Sequence, residues 1–95
     1  MTQRQFAIIA YDIPDDRRRR QIASFLNGKG ERVQYSVFEL HVPPDRLASV
    51  AAGLRERMNP SEDHVRIYRL CASCEDRVEV VGGPPRYETP SVWIA

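Results

Sequence analysis

The apolar residues of this chain change period along its length, and that alternation constrains the fold more than any other feature. "QFAIIAYD" (residues 5–12) is short, apolar and closed by a turn signal, which predicts a buried strand. Ile13-Pro14-Asp15-Asp16 turns the chain into a helix, with Asp15 or Asp16 available as N-cap. That helix runs to about Asn27 on a stripe of Ile22, Phe25 and Leu26, and Gly28 and Gly30 stop it. "ERVQYSVFELHV" (31–42) is rich in β-branched and aromatic residues and alternates in part, which predicts one long strand or two short ones with a kink. Pro43 and Pro44 end it. Leu47, Val50, Ala51, Leu54 and Met58 then fall at helical spacing, predicting an amphipathic helix over 45–58 that Asn59-Pro60 closes. "DHVRIYRLC" (63–71) and "RVEVVG" (77–82) are expected as strands with a polar turn between them. A linker rich in glycine and proline then leads to "SVWI" (91–94).

The order strand, helix, strand, strand, helix, strand is the split βαβ pattern. It predicts an α+β, ferredoxin-like fold, an antiparallel sheet with both helices on one face. The other face is left open, and a second copy of the chain is the simplest cover for its apolar side chains. The 95 residues fit one compact domain. The expected organisation is a ferredoxin-like domain over 1–82, then a linker and a C-terminal strand over 83–95 exchanged in the dimer. Val92-Trp93-Ile94 motivates the exchange, because an unpaired apolar run would expose its tryptophan while a sheet edge is an available template.

The charge balance narrows the partners. Net charge is +1 although 28% of residues are charged, so any nucleic-acid binding must come from clustered charge rather than from the global balance. Lys29 is the only lysine, and the remaining cations are arginines, which suit bidentate contacts to phosphate or carboxylate. The N-terminus enters a strand-like run too short and too punctuated for an export or membrane segment, so a cytoplasmic protein is expected. Cys71 and Cys74 form a CxxC without the second pair that a structural zinc site needs. A redox role is disfavoured by the apparent lack of a strand-to-helix context.

The chemistry concentrates in "FAIIAYDIPDDRRRRQI". Asp12, at the end of the first strand, is a plausible oxygen ligand for magnesium, which commonly takes one or two carboxylates plus water and phosphate. Alternatively it caps the following turn. The four arginines can pair in part with acids at i,i+4, Asp15 with Arg19 and Asp16 with Arg20. Their position in the first turns of a helix nevertheless opposes the macrodipole. Arg17 and Arg20 point away from the apolar stripe, while Arg18 and Arg19 flank it and can reach back toward Asp12. A carboxylate beside several arginines, at a helix end that attracts anions, suits a phosphoester. His41 and His64 are isolated near strand ends and are expected as surface or turn residues. Tyr11, Tyr35, Phe38 and Tyr68 are expected as core or dimer contacts. No serine, cysteine or histidine arrangement suggests covalent catalysis, and no glycine-rich phosphate loop is present.

"YDIPDDRRRRQI" followed by "GERVQYSVFEL" resembles the CRISPR-associated Cas-two family of small adaptation-stage nuclease and scaffold proteins, over the chain to about Gly82. The resemblance implies a ferredoxin-like homodimer. It implies a metal-dependent endonuclease on RNA or double-stranded DNA that bridges two dimers of the Cas-one integrase in spacer acquisition. It further implies that Asp12 ligates Mg2+, shared with its mate across the dimer. Tyr11, Arg19, Arg32, Ser36 and Phe38 fall on motif positions near that site. The implied catalytic set is Asp12, Tyr11, Arg19 and Phe38; the nucleic-acid set is Arg17, Arg18, Arg19, Arg20, Arg32 and Ser36. Two other readings stand beside this one: a non-catalytic DNA-binding scaffold, and a toxin-like ribonuclease sharing the fold and the strand-end aspartate. The "QYSVFE" run favours the CRISPR family over the toxin.

Overall fold

The structure, a computed structural model, describes residues 4–87. Its elements are β1 (Gln5–Asp12), α1 (Asp16–Leu26), β2 (Gly30–Gln34), β3 (Val37–Val42), α2 (Pro44–Arg57), β4 (His64–Leu70) and a single helical turn, α3 (Ala72–Glu75). The sheet order is β2-β3-β1-β4 and every pairing is antiparallel. This is the ferredoxin-like arrangement expected from the alternation of periods. The 31–42 run resolves into two strands, with a register shift between Arg32 and Gln34 and a turn at Tyr35-Ser36.

One sheet face is buried beneath α1 and α2. Ala7, Ile9 and Tyr11 of β1 and Phe38, Leu40 and Val42 of β3 pack with Ile22 and Leu26 of α1 and Leu47, Val50 and Leu54 of α2. Burying a side chain of this size stabilises the fold by about 1.5–3 kcal/mol. The helices approach closely at Gly53, where a Cβ would run into the Phe25 ring. Asp15 starts α1: its carboxylate accepts the Arg18 backbone N–H at 2.8 Å. Gly28, at φ 91°, turns the chain out of α1 in a conformation that side chains rarely adopt.

The other sheet face is covered in part by the chain itself. Glu75 of α3 meets His41 Nε2 at 3.3 Å and pairs with Arg86. Arg86 lies over the Phe6 ring, and the Tyr87 N–H donates to the buried Glu39 carboxylate at 2.7 Å.

Three local expectations need correction. Residues 77–82 are not a strand among the described residues. Val78 and Val80 alternate with charged neighbours, but a strand needs a ladder partner, and Val80 and Val81 stand in solvent. The expected polar turn before them contains α3, so the CxxC does lie at a strand-to-helix junction. The arginine pairs form one residue earlier than expected, Arg18 with Asp15 and Arg19 with Asp16, both at i,i+3. The expected strand at 91–94 lies outside the described residues.

Candidate nucleic-acid and metal site at the end of β1

β1 carries its last two side chains to opposite faces of the sheet, as any strand must. Tyr11 enters the core beneath the helices and is 5% exposed. Asp12 is exposed, and no hydrogen bond or ion pair reaches its carboxylate among the described residues. The capping alternative for Asp12 is therefore not realised, because Asp15 holds that role. Across the ladder Asp12 faces His64, the first residue of β4. The two side chains share one sheet face at the spacing of a cross-strand pair. His64 was set aside in the sequence as isolated. Only the antiparallel β1–β4 register brings it to Asp12.

The four arginines of α1 separate into distinct environments. Arg18 is clamped: its Nε donates to Asp63 Oδ2 at 2.8 Å, and its second terminal nitrogen donates to Asp63 Oδ1 at 3.1 Å and Glu62 Oε1 at 2.9 Å. Asp63 is 3% exposed and also accepts the Asn59 N–H at 2.8 Å. The Arg18 guanidinium, with that backbone bond, holds the Asp63 carboxyl below its ordinary value despite burial. Arg18 is in turn held more firmly protonated by Asp63. Arg19 arches over the turn after β1, donating to the Ile13 carbonyl at 2.9 Å and pairing with Asp16. Its charge is favoured first by Asp16 and then by the nearby Tyr35. Arg17 and Arg20 stand in solvent, as their place on the helix predicts.

The β2–β3 turn closes the same end of the sheet. The Tyr11 N–H donates to the Ser36 carbonyl at 3.1 Å, which docks the turn beside Asp12. Arg32 lies over the Phe38 ring at 5.4 Å and the Tyr35 ring at 5.9 Å. Phe38 is 1% exposed and stacks with Tyr11 in the core at 6.4 Å. The structure therefore brings Asp12, Arg19, Arg32 and Ser36 to one end of the sheet but not to one face: Asp12 projects from the open face, whereas Arg32, the cross-strand partner of Phe38, lies on the helix side with Phe38 and Tyr11. The aromatic that does reach solvent is Tyr35, 71% exposed and flanked by Arg19 and Arg32. Its sequence signal was the turn between two strands, where a side chain need not enter either face.

No group of three or more His, Cys, Asp or Glu side chains forms a cation cage among the described residues. The chain offers one exposed carboxylate with an imidazole across from it. That suits a hard cation holding one or two carboxylates with its other positions open to water and phosphate, and not a closed zinc centre. No helix among the described residues is long and apolar enough to cross a membrane.

Comparison with known proteins gives the same direction. The family "CRISPR associated protein Cas2" matches residues 5–78. The chain is 42% identical to a CRISPR-associated endoribonuclease Cas2 of Synechocystis over 87 residues, 92% of this chain and 95% of that protein. Its fold superposes on a crystal structure of a hypothetical protein from Thermus thermophilus with a TM-score of 0.78, at 38% identity, covering 90% of this chain and 99% of the other. It also superposes on a chain of a partial Cas6-RT-Cas1–Cas2 complex, with a TM-score of 0.72 at 27% identity, covering 90% and 94%. With a family match across β1 to Val78 and a relative of this identity over nearly its whole length, the chain belongs to the CRISPR-associated Cas2 family.

Proposed function

We propose that this chain is a homodimeric CRISPR adaptation protein that holds nucleic acid at the β1 end and cleaves it with magnesium, and that the same dimer serves as a scaffold for Cas1. The observation that carries the nuclease reading is Asp12. It is exposed and unpaired among the described residues, while its acidic neighbours Asp15, Asp16 and Asp63 are all engaged. A carboxylate kept free beside an arginine-lined surface is available to a cation and to the phosphate that accompanies it.

The parts have separate tasks. Asp12 and its mate in the second chain would hold Mg2+, and the cation would offset the repulsion that two close carboxylates otherwise suffer. When bound, that ion activates water and neutralises developing charge on a phosphodiester. Arg17, Arg19, Arg20 and Arg32 attract and position the backbone, with Ser36 at the docked turn. Arg18 is held differently: Asp63 and Glu62 take its Nε and one terminal nitrogen and fix α1 against the start of β4, leaving its other terminal nitrogen for a phosphate. Tyr11 and Phe38 support the site from below. His64, across the ladder from Asp12, would face the same bound phosphate.

The scaffold reading is favoured by the likeness to a chain from a Cas1–Cas2 complex. The experiment is a cleavage assay on RNA and on duplex DNA with and without Mg2+, with Cas1 binding measured on the same samples. Magnesium-dependent cutting together with Cas1 binding is expected. Cas1 and duplex binding without any cutting leaves the scaffold role alone, and the absence of both overturns the proposal.

A further inference from the structure

The CxxC has no part in the site at β1, yet its setting is specific. Cys71 follows the last residue of β4 and is the N-cap residue of α3, and Cys74 lies three residues on, within that helical turn. Residues three apart on a helical turn are neighbours on one face. Both thiols are exposed. The Cys71 sulfur lies 3.3 Å from Ser73 Oγ and is also approached by the Cys74 thiol. These contacts, Ser73 foremost, bring the Cys71 thiol down to about 7, while its proximity raises Cys74. Cys71 also lines a cavity of about 330 Å³ with Arg4, Gln5, Pro44, Leu70 and Glu75. The cavity leaves room for a small molecule beside the sulfur, and Arg4 provides positive charge for a carboxylate on it.

We infer that Cys71 and Cys74 form a dithiol–disulfide pair that reacts with low-molecular-weight disulfides such as glutathione disulfide, Cys71 attacking and Cys74 resolving. In the first step the Cys71 thiolate attacks one sulfur of glutathione disulfide. A mixed disulfide forms, the original S–S bond breaks, and one glutathione leaves as thiolate and takes a proton. In the second step Cys74 gives its proton to solvent and attacks the Cys71 sulfur. The Cys71–Cys74 bond forms and the second glutathione leaves. Two protein thiols are oxidised and one glutathione disulfide is reduced to two thiols. An attacking thiol near ambient pH, with a neighbour that stays protonated until needed, is the division of labour such exchange favours.

The test incubates the purified dimer with glutathione disulfide and follows intact mass and non-reducing gel mobility. The wild type should lose two hydrogens per chain without gaining glutathione or a covalent cross-link between chains. Cys74→Ser should accumulate one glutathione adduct at about the rate at which the wild type reacts, because nothing resolves it. Cys71→Ser should react about threefold more slowly, because its remaining thiol is less ionised at neutral pH than Cys71 and the greater intrinsic nucleophilicity of a less acidic thiol recovers only part of that difference. Stable wild-type glutathione adducts, cross-linked chains, or equal rates for the two single variants would each overturn the assignment.

Discussion

Asp12 and Asp15 lie three residues apart and have opposite fates, because one ends a strand and the other opens a helix. Asp15 spends its carboxylate on the Arg18 N–H, whereas Asp12 stays free in solvent. That Asp12 ends β1 was legible from the apolar run and the proline turn. That α1 is capped by Asp15 or Asp16 was legible too; which of the two does so comes from the backbone geometry. Tyr35 shows the limit in another way. A tyrosine in a strand-like run reads as a core or dimer contact, but a two-residue turn carries it out of the chain's own core to lie between Arg19 and Arg32. An exposed ring beside guanidinium groups is a stacking platform for a base. Tyr35→Ala is expected to weaken binding of single-stranded RNA about 5- to 150-fold, the span measured for loss of one base–aromatic stack, while Tyr35→Phe keeps most of the affinity. Arg32→Ala should instead weaken all sequences alike and lower the salt slope by about one. Fluorescence anisotropy across a salt series separates the two, and identical slopes for wild type and Arg32→Ala would remove Arg32 from the phosphate contacts.

At the scale of elements, the tie between α1 and the start of β4 is a side-chain clamp. Arg18 grips Asp63 in two places and Glu62 in a third, 45 and 44 residues along the chain. No local spacing reveals such a partner, which is why the sequence separates Arg18 and Arg19 from Arg17 and Arg20 by their place on the helix but does not distinguish the clamped Arg18 from Arg19. Asp63→Asn keeps the shape but removes the charge that Arg18 faces, and is expected to cost about 1–3 kcal/mol in urea unfolding at neutral pH. The pH dependence has a definite sign. The folded Asp63 carboxyl titrates below its ordinary value of about 3.9, so its contribution is complete above that value and is lost as the pH falls through the lower folded one. The wild type should therefore lose more stability than Asp63→Asn when urea unfolding is repeated at progressively lower pH below that range. Parallel losses in the two proteins would mean that the clamp contributes nothing through its charge. The miss at 77–82 has a related origin: alternation marks a segment able to be a strand, but only a free edge in the right place makes it one.

For the whole molecule, the α+β order was legible because the changes of period from β1 through β4 coincide with glycine or proline breaks, and the family match spans the same elements. The way the chain returns over its own sheet was not, since it rests on Glu75 meeting His41 and Arg86 from distant segments. Glu75→Gln should loosen that return, and trypsin should then cut after Arg86 faster than in the wild type; unchanged cutting would show that the other contacts suffice. Residues 90–95, in the exchanged-strand proposal, help join two chains, so their removal should shift sedimentation toward monomer, and an equally tight truncated dimer would end that proposal. The central claim, that acid and arginines form one site with separable tasks, is tested most directly by Asp12→Asn. Magnesium-dependent cleavage of RNA and duplex DNA is measured beside thermal unfolding, sedimentation and duplex binding. The account predicts that cleavage disappears while fold, dimer and binding stay near wild type; cleavage by the Asn variant at the wild-type rate, or its failure to fold, would contradict it.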